Sequence, residues 1–217
     1  MSSQKESTVR TLVVALLVCL VCSVFVAGAA IALKPTQVEN RQLDKQRSIL
    51  AIAGLGEPNM SAAQVKDMFN GTITAKLVDL QTGTFSDAKD PMTFDPLKAA
   101  KDPKLSSVLS GDDDIASIKR LERYTTVYVV EKDGQMDTLI MPVRGYGLWS
   151  TLYGFIAIKG DLNTVAGMGF YQHAETPGLG GEAGATLTSK GVDNLLNFWL
   201  GQNGFGPFIA NLRAGEA

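Results

Sequence analysis

The chain has 217 residues, 45% of them hydrophobic, with 20 basic and 22 acidic side chains and a net charge of −2. That is enough for one domain with a substantial core plus additional segments. The near-neutral balance, with no basic stripe, argues against nucleic-acid binding, and a single histidine, His173, excludes a histidine-rich metal site or a relay of several histidines.

The stretch 11–33, TLVVALLVCLVCSVFVAGAAIAL, carries no charge. As a helix it would span roughly 34 Å, enough to cross a bilayer. The AGA at Ala27–Ala29 resembles a signal-peptide cleavage site. However, the run exceeds an ordinary signal core of about 7–15 residues, so an uncleaved single-pass anchor is the preferred reading. Lys5 and Arg10 precede it, and Lys34, Arg41, Lys45 and Arg47 follow, so the near flanks do not set its orientation. The short head, 1–10, reads as cytoplasmic and the large remainder as exported, since long domains translocate largely regardless of charge. Both cysteines, Cys19 and Cys22, fall inside this stretch. Their spacing is that of a redox pair, but on a membrane helix they read as small apolar fillers. The exported part has no cysteine, hence no disulfide.

Residues 34–70 read as a helical connector. NRQLDKQRSILAIAGL is charged, then apolar, and stops at Gly54. SAAQVKDMFNG opens with a capping-box pattern, Ser61 and Gln64, carries an apolar face of Val65, Met68 and Phe69, and ends at Asn70-Gly71. The alternation in 72–80 predicts a strand. Residues 81–111, with Pro91, Pro96 and Pro103, predict mainly loop with one short helix. The acidic run Asp112–Asp114 lacks the alternating ligands and glycine of a calcium loop and reads as solvated surface. A hairpin comes next, with strands 124–130 and 136–143 around Asp133-Gly134. Two more strands flank Gly160-Asp161. Val192, Leu195, Leu196 and Trp199 are at helical spacing, predicting a closing helix over 190–200. Trp199, Phe205 and Phe208 are assigned to the core, and Gly204 and Gly206 to a turn. Helices, a meander and a closing helix make an α+β fold.

Several enzyme chemistries fail on the residues. Lys190 follows a serine, not the glycine a phosphate loop requires, and neither a G-x-G-x-x-G fingerprint nor a G-x-S-x-G elbow is present. Zinc would need ligands that one histidine and two membrane cysteines do not supply. No catalytic residue and no metal ligand is therefore assigned. The exported part is instead rich in close-approach loops: Gly145–Gly147, ETPGLGGE at 175–182, and AGATLTSKG at 183–191. Such loops without acid–base groups suggest a bound cofactor that carries the chemistry.

The segments LDKQ (43–46), RGYGLW (144–149), HAETPGLGGE (173–182), GATLTS (184–189) and NFWLGQNGFGPF (197–208) make the resemblance specific. With them the chain resembles the covalent-FMN-binding domain family over nearly its whole length. The resemblance implies an α+β architecture of one N-terminal transmembrane helix and an exported FMN-binding domain with an antiparallel sheet and flanking helices. The corresponding boundaries are 1–10 cytoplasmic, 11–33 membrane, 34–70 connector and 71–217 periplasmic domain. It implies an electron-carrying flavoprotein subunit of a sodium-pumping NADH:ubiquinone reductase in the bacterial inner membrane. Its partners would be other respiratory subunits, a flavin transferase and the membrane, with no nucleic acid. The alternatives are the equivalent subunit of the Rnf ferredoxin:NAD complex, or a flavin-free anchored assembly module.

In this family the threonine ending the [Ser/Thr]-Gly-Ala-Thr motif is esterified to the 5′-phosphate of FMN, and that position is Thr186. Gly184 and Ala185 would then give the phosphate access. The helix after it would supply a positive N-terminus, with Lys190 adding charge. Thr188 and Ser189 are assigned to support or capping. Glu175, Thr176 and Leu179 would reach the ribityl chain or ring, and Trp149 is assigned either to the isoalloxazine or to the core. His173 reads as a surface or capping residue. Two departures stand out. Ala183 replaces the first motif residue, and Glu182 meets Ala183 directly where relatives carry a few dozen residues, including an aspartate. The favoured reading is a segment absent between Glu182 and Ala183, with a shortened natural chain as the other.

Overall fold

The computed structural model describes residues 8–57, 59–175 and 186–217. The chain divides into two compact units, Met1–Leu43 and Asp44–Ala217. The first is the N-terminal part of α1 (Thr8–Ile52), a helix of 45 residues. Its apolar stretch is fully exposed, with a mean hydropathy of 2.9 over its best window, and it is long and apolar enough to cross a membrane. Pro35 lies inside α1 without ending it, although proline removes one ladder hydrogen bond. The sequence divides this region into anchor and connector, whereas the backbone runs through as one helix.

The second unit is built on a six-stranded antiparallel sheet. After α1 come α2 (Ala62–Thr72), β1 (Ile73–Asp79), β2 (Thr84–Phe85), α3 (Pro96–Ala99), β3 (Ser106–Val108), β4 (Arg120–Glu122), β5 (Tyr124–Lys132), β6 (Gln135–Tyr146), β7 (Thr151–Lys159), β8 (Val165–Gln172), α4 (Thr186–Leu200) and α5 (Gly206–Ala214). The strand order is β2-β1-β5-β6-β7-β8, and β3 and β4 form a separate two-stranded ribbon.

Local chemistry accounts for several of these elements. Ser61 Oγ accepts from the Gln64 amide while Gln64 Oε1 accepts from the Ser61 amide, so the predicted capping box starts α2. The β5–β6 hairpin turns at Asp133 (φ 54°) and Gly134 (φ 76°), two consecutive left-handed residues as a type I′ turn requires. The sequence suggests only a turn at Gly204 and Gly206, whereas α5 begins there. Proline in a first helical turn loses no intrahelical bond, so Gly206-Pro207 starts a helix. α4 begins at Thr186, four residues before the predicted start. Thr188 and Ser189 therefore lie inside the helix and do not cap it.

The sheet is covered on both faces. On one, Val127 and Val129 of β5, Leu139 and Met141 of β6, and Leu152 and Ile156 of β7 pack with Leu195, Phe198 and Trp199 of α4 and with Phe205 and Phe208 beyond it. These aromatics are 0–1% exposed, as the sequence predicts for Trp199, Phe205 and Phe208. Each fully buried large apolar side chain contributes about 1.5–3 kcal/mol, so Leu195, Phe198 and Trp199 fix α4 to the sheet. On the other face, Phe69 of α2 meets Tyr128 edge-on at 5.8 Å, and Tyr128 meets Phe155 at 5.9 Å. The end of α1 packs there too. A Cβ on Gly167 would lie 3.1 Å from the Ile52 carbonyl oxygen, so β8 needs its glycine to approach that helix.

Two irregularities interrupt the sheet. β5 and β6 pair only as far as Tyr128↔Ile140. Beyond that point the strands part, and the Tyr146 amide donates to the Ala116 carbonyl instead. The β7–β8 ladder shifts register twice, between Tyr153 and Gly154 and between Ala157 and Ile158.

Candidate functional site

The end of β6, the loop 147–150 and the start of α4 come together through glycines. A Cβ on Gly145 would lie 2.9 Å from Leu195 Cβ, and one on Gly191 would lie 2.7 Å from the Tyr146 carbonyl oxygen and 3.2 Å from Gly147 Cα. Any side chain at Gly191 would push backbone against backbone, so the first turns of α4 are seated directly on the strand end. The sequence gives two glycine-rich stretches in this neighbourhood, but only the fold makes them one contact.

The loop is organised by a carboxylate. Glu175, just after β8, is 4% exposed. Its Oε1 accepts from the Trp149 amide at 3.0 Å, the Ser150 amide at 2.9 Å and Ser150 Oγ at 3.2 Å, while Oε2 accepts from the Leu148 amide at 3.3 Å. Ser150 Oγ in turn accepts from the Ala174 amide at 2.8 Å, and the Gly147 amide closes the loop on the Ser150 carbonyl. A Cβ on Gly147 would meet Glu175 Oε1 at 2.7 Å, so that glycine makes room for the carboxylate. Burial alone would raise the Glu175 pKa. The three amides and the hydroxyl outweigh it and hold the group below the ordinary carboxylate value.

Locked in this way, the loop presents aromatic surface. Trp149 is 67% exposed and Tyr146 is 48% exposed. Trp149 is therefore not a core residue. Lys190 and Ser189 are exposed one turn into α4, and His173 is exposed after β8. Thr176, Leu179, Gly184 and Ala185 lie outside the described residues, as does the junction of Glu182 with Ala183. Thr186 and Thr188 are placed by the helix backbone alone. Sequence reasoning expects Glu175 at the cofactor. The structure has its carboxylate on the loop amides, a role for which the only sequence signal is the small and polar run around Gly147 and Ser150. Among the described residues no cluster of three metal-ligating side chains occurs.

The FMN-binding domain family matches residues 147–201, from the locked loop to the end of α4. The C subunit of the Na(+)-translocating NADH-quinone reductase of Pseudomonas aeruginosa is 64% identical, covering 99% of this chain and 100% of that one. The corresponding subunit of Pasteurella multocida is 41% identical over 99% and 98% of the two chains. Among solved structures, Shewanella oneidensis NqrC superposes with a TM-score of 0.71 at 28% identity, covering 80% of this chain and 98% of that one. The chain belongs to the NqrC family, the C subunits of Na(+)-translocating NADH-quinone reductases. The Pseudomonas match runs over 260 positions against a chain of 217 residues, so at least 43 of those positions face gaps in this chain.

Proposed function

We propose that this chain is the membrane-anchored flavoprotein subunit that relays electrons within a sodium-translocating NADH-quinone reductase, with FMN joined through its phosphate to Thr186. The observation that carries the reading is the Glu175-locked loop. It holds an exposed Trp149 beside the start of α4, within the segment matched by the FMN-binding domain family.

FMN, when bound, supplies the redox chemistry at its isoalloxazine ring, and the chain's own residues bind and orient it. Thr186 is the first residue of α4, where unsatisfied N–H groups and the positive end of the helix dipole favour a phosphate. Lys190, exposed one turn further on, adds a positive charge. Gly184 and Ala185 would leave the hydroxyl accessible to a flavin transferase. Trp149 would lie against the ring, with Thr176 and Leu179 toward the ribityl chain and Thr188 in support. Glu175 acts through the loop: it fixes the backbone of 148–150 and so the direction of the indole. Covalent attachment suits an exported domain, from which free FMN would be lost to the surrounding volume. The 11–33 stretch would anchor the chain in the inner membrane with 1–10 cytoplasmic and 71–217 periplasmic. Partner subunits would oxidise NADH, reduce quinone and move sodium. The gaps against the longer relatives would fall at the Glu182–Ala183 junction.

The test is co-expression of the full chain with a flavin transferase. A fluorescent band in a denaturing gel and an FMN-sized mass increase are expected, lost in Thr186→Ala and kept in Thr188→Ala. A wild-type chain with no mass increase would return the reading to a flavin-free assembly module.

A further inference from the structure

Where β5 and β6 part, a cavity of about 60 Å³ opens beside them, with no residue of the loop 147–150, Glu175 or α4 in its lining. By the measure that one water needs about 10–15 Å³, it takes roughly four to six water-sized atoms. Its lining includes Lys45, Glu122, Thr125, Arg144, Tyr153 and Tyr171.

The polar groups there are unequally satisfied. Glu122 is 1% exposed and receives both Arg144 Nη1 at 2.6 Å and Arg144 Nη2 at 2.5 Å. Asp95, also at the cavity, accepts from the Leu97 and Lys98 amides and pairs with Lys98 Nζ at 3.3 Å. Both carboxylates are thus already served. The donors are not. Thr125 is 0% exposed and its Oγ1 has no hydrogen-bond partner, a costly condition for a buried hydroxyl. Lys45 Nζ lies 5.9 Å and 5.8 Å from the ring centroids of Tyr128 and Phe155. Among the described residues it has no carboxylate partner. The Tyr171 hydroxyl is pushed up to about 12, first by burial and then by Tyr128 and Tyr153, so it remains a donor.

We infer that this cavity is a binding site for a single carboxylate group, received by Lys45 Nζ with the Thr125 and tyrosine hydroxyls as further donors. A carboxylate with its adjoining carbon is four heavy atoms and fits the volume. A metal cation does not fit the chemistry, since Lys45 and Arg144 already supply positive charge and both local carboxylates are engaged. The carboxylate comes either from a small free acid or from an aspartate or glutamate of a partner subunit.

Two measurements test the site. Sodium acetate, against sodium chloride at equal ionic strength, is added to the full chain in detergent. A saturable rise in unfolding midpoint is expected, roughly 3–6 °C at tenfold over Kd, lost in Lys45→Met and kept in Lys45→Arg. In the assembled complex, a water-soluble carbodiimide joins an amine and a carboxylate in contact, forming an amide as it takes up the water released. An amide mapped to Lys45 and a partner's acidic residue assigns the source to that subunit. Acetate stabilisation without such an amide assigns it to a free acid. Neither effect, or an acetate shift unchanged in Lys45→Met, overturns the proposal.

Discussion

Two buried carboxylates, in regions that adjoin along β6, are satisfied in opposite ways. Glu122 meets a guanidinium, with Arg144 bonded to both its oxygens and also donating to the Arg120 carbonyl. Glu175 meets the amides of 148–150 and one hydroxyl. An ion pair buries two charges together, and each depends on the other. A carboxylate held by amides is an internal solvent for a loop. The first arrangement ties β4 to β6 where the sheet has opened, and the second shapes a surface and leaves the core alone. The backbone of Trp149 is held by the second kind.

The contrast can be broken most forcefully at the ion pair. Arg144→Met leaves Glu122 buried without its cation, and a loss of about 3–5 kcal/mol is expected in denaturant unfolding. Removal of the other carboxylate is milder and local. Glu175→Ala leaves three amides without an acceptor and removes the bond that Ser150 Oγ donates, at a cost of about 1–3 kcal/mol. Hydrogen exchange should rise at 148–150 while the Trp199 neighbourhood stays protected. If the whole sheet exchanges faster instead, Glu175 holds more than the loop. The smallest effect is the dependence on acid. The folded Glu175 pKa lies below its unfolded value, because the loop amides and the Ser150 hydroxyl favour the charged form over the opposing effect of burial. Its contribution is therefore complete above that unfolded value and is lost as pH falls through the folded one. Glu175→Gln should be less stable at neutral pH but should show a shallower decline on the acid side. Parallel acid limbs for the two proteins would show that the amides do not favour the charged form.

How far such features are legible in the sequence depends on their reach along the chain. The Asp133-Gly134 turn and the Ser61–Gln64 cap are decided by neighbouring residues, and both can be read directly. The aromatic core at Trp199, Phe205 and Phe208 is legible from composition and spacing. The start of α4 is not, because TLTSKG has no apolar period and the helical signal begins only at Val192. Arg144 and Glu122 are 22 residues apart, and Glu175 is 25 to 27 residues from the loop it organises. No local pattern couples residues at those separations. The resemblance to FMN-binding proteins assigns Glu175 to the cofactor, and only the structure shows its carboxylate bonded to the amides of 148–150.

The margins of the sheet bear on how the chain coexists with others. Among the described residues β8 is a terminal strand, and its far side offers backbone groups to any passing strand. The ladder against β7 shifts register twice, and bulges of that kind bend a strand and disrupt its regular pairing pattern. At the opposite end, β2 is only two residues long, too short to template an added strand. Both margins of the sheet are therefore poor nuclei for edge-to-edge aggregation. Margins of this kind do not recruit further copies of the chain.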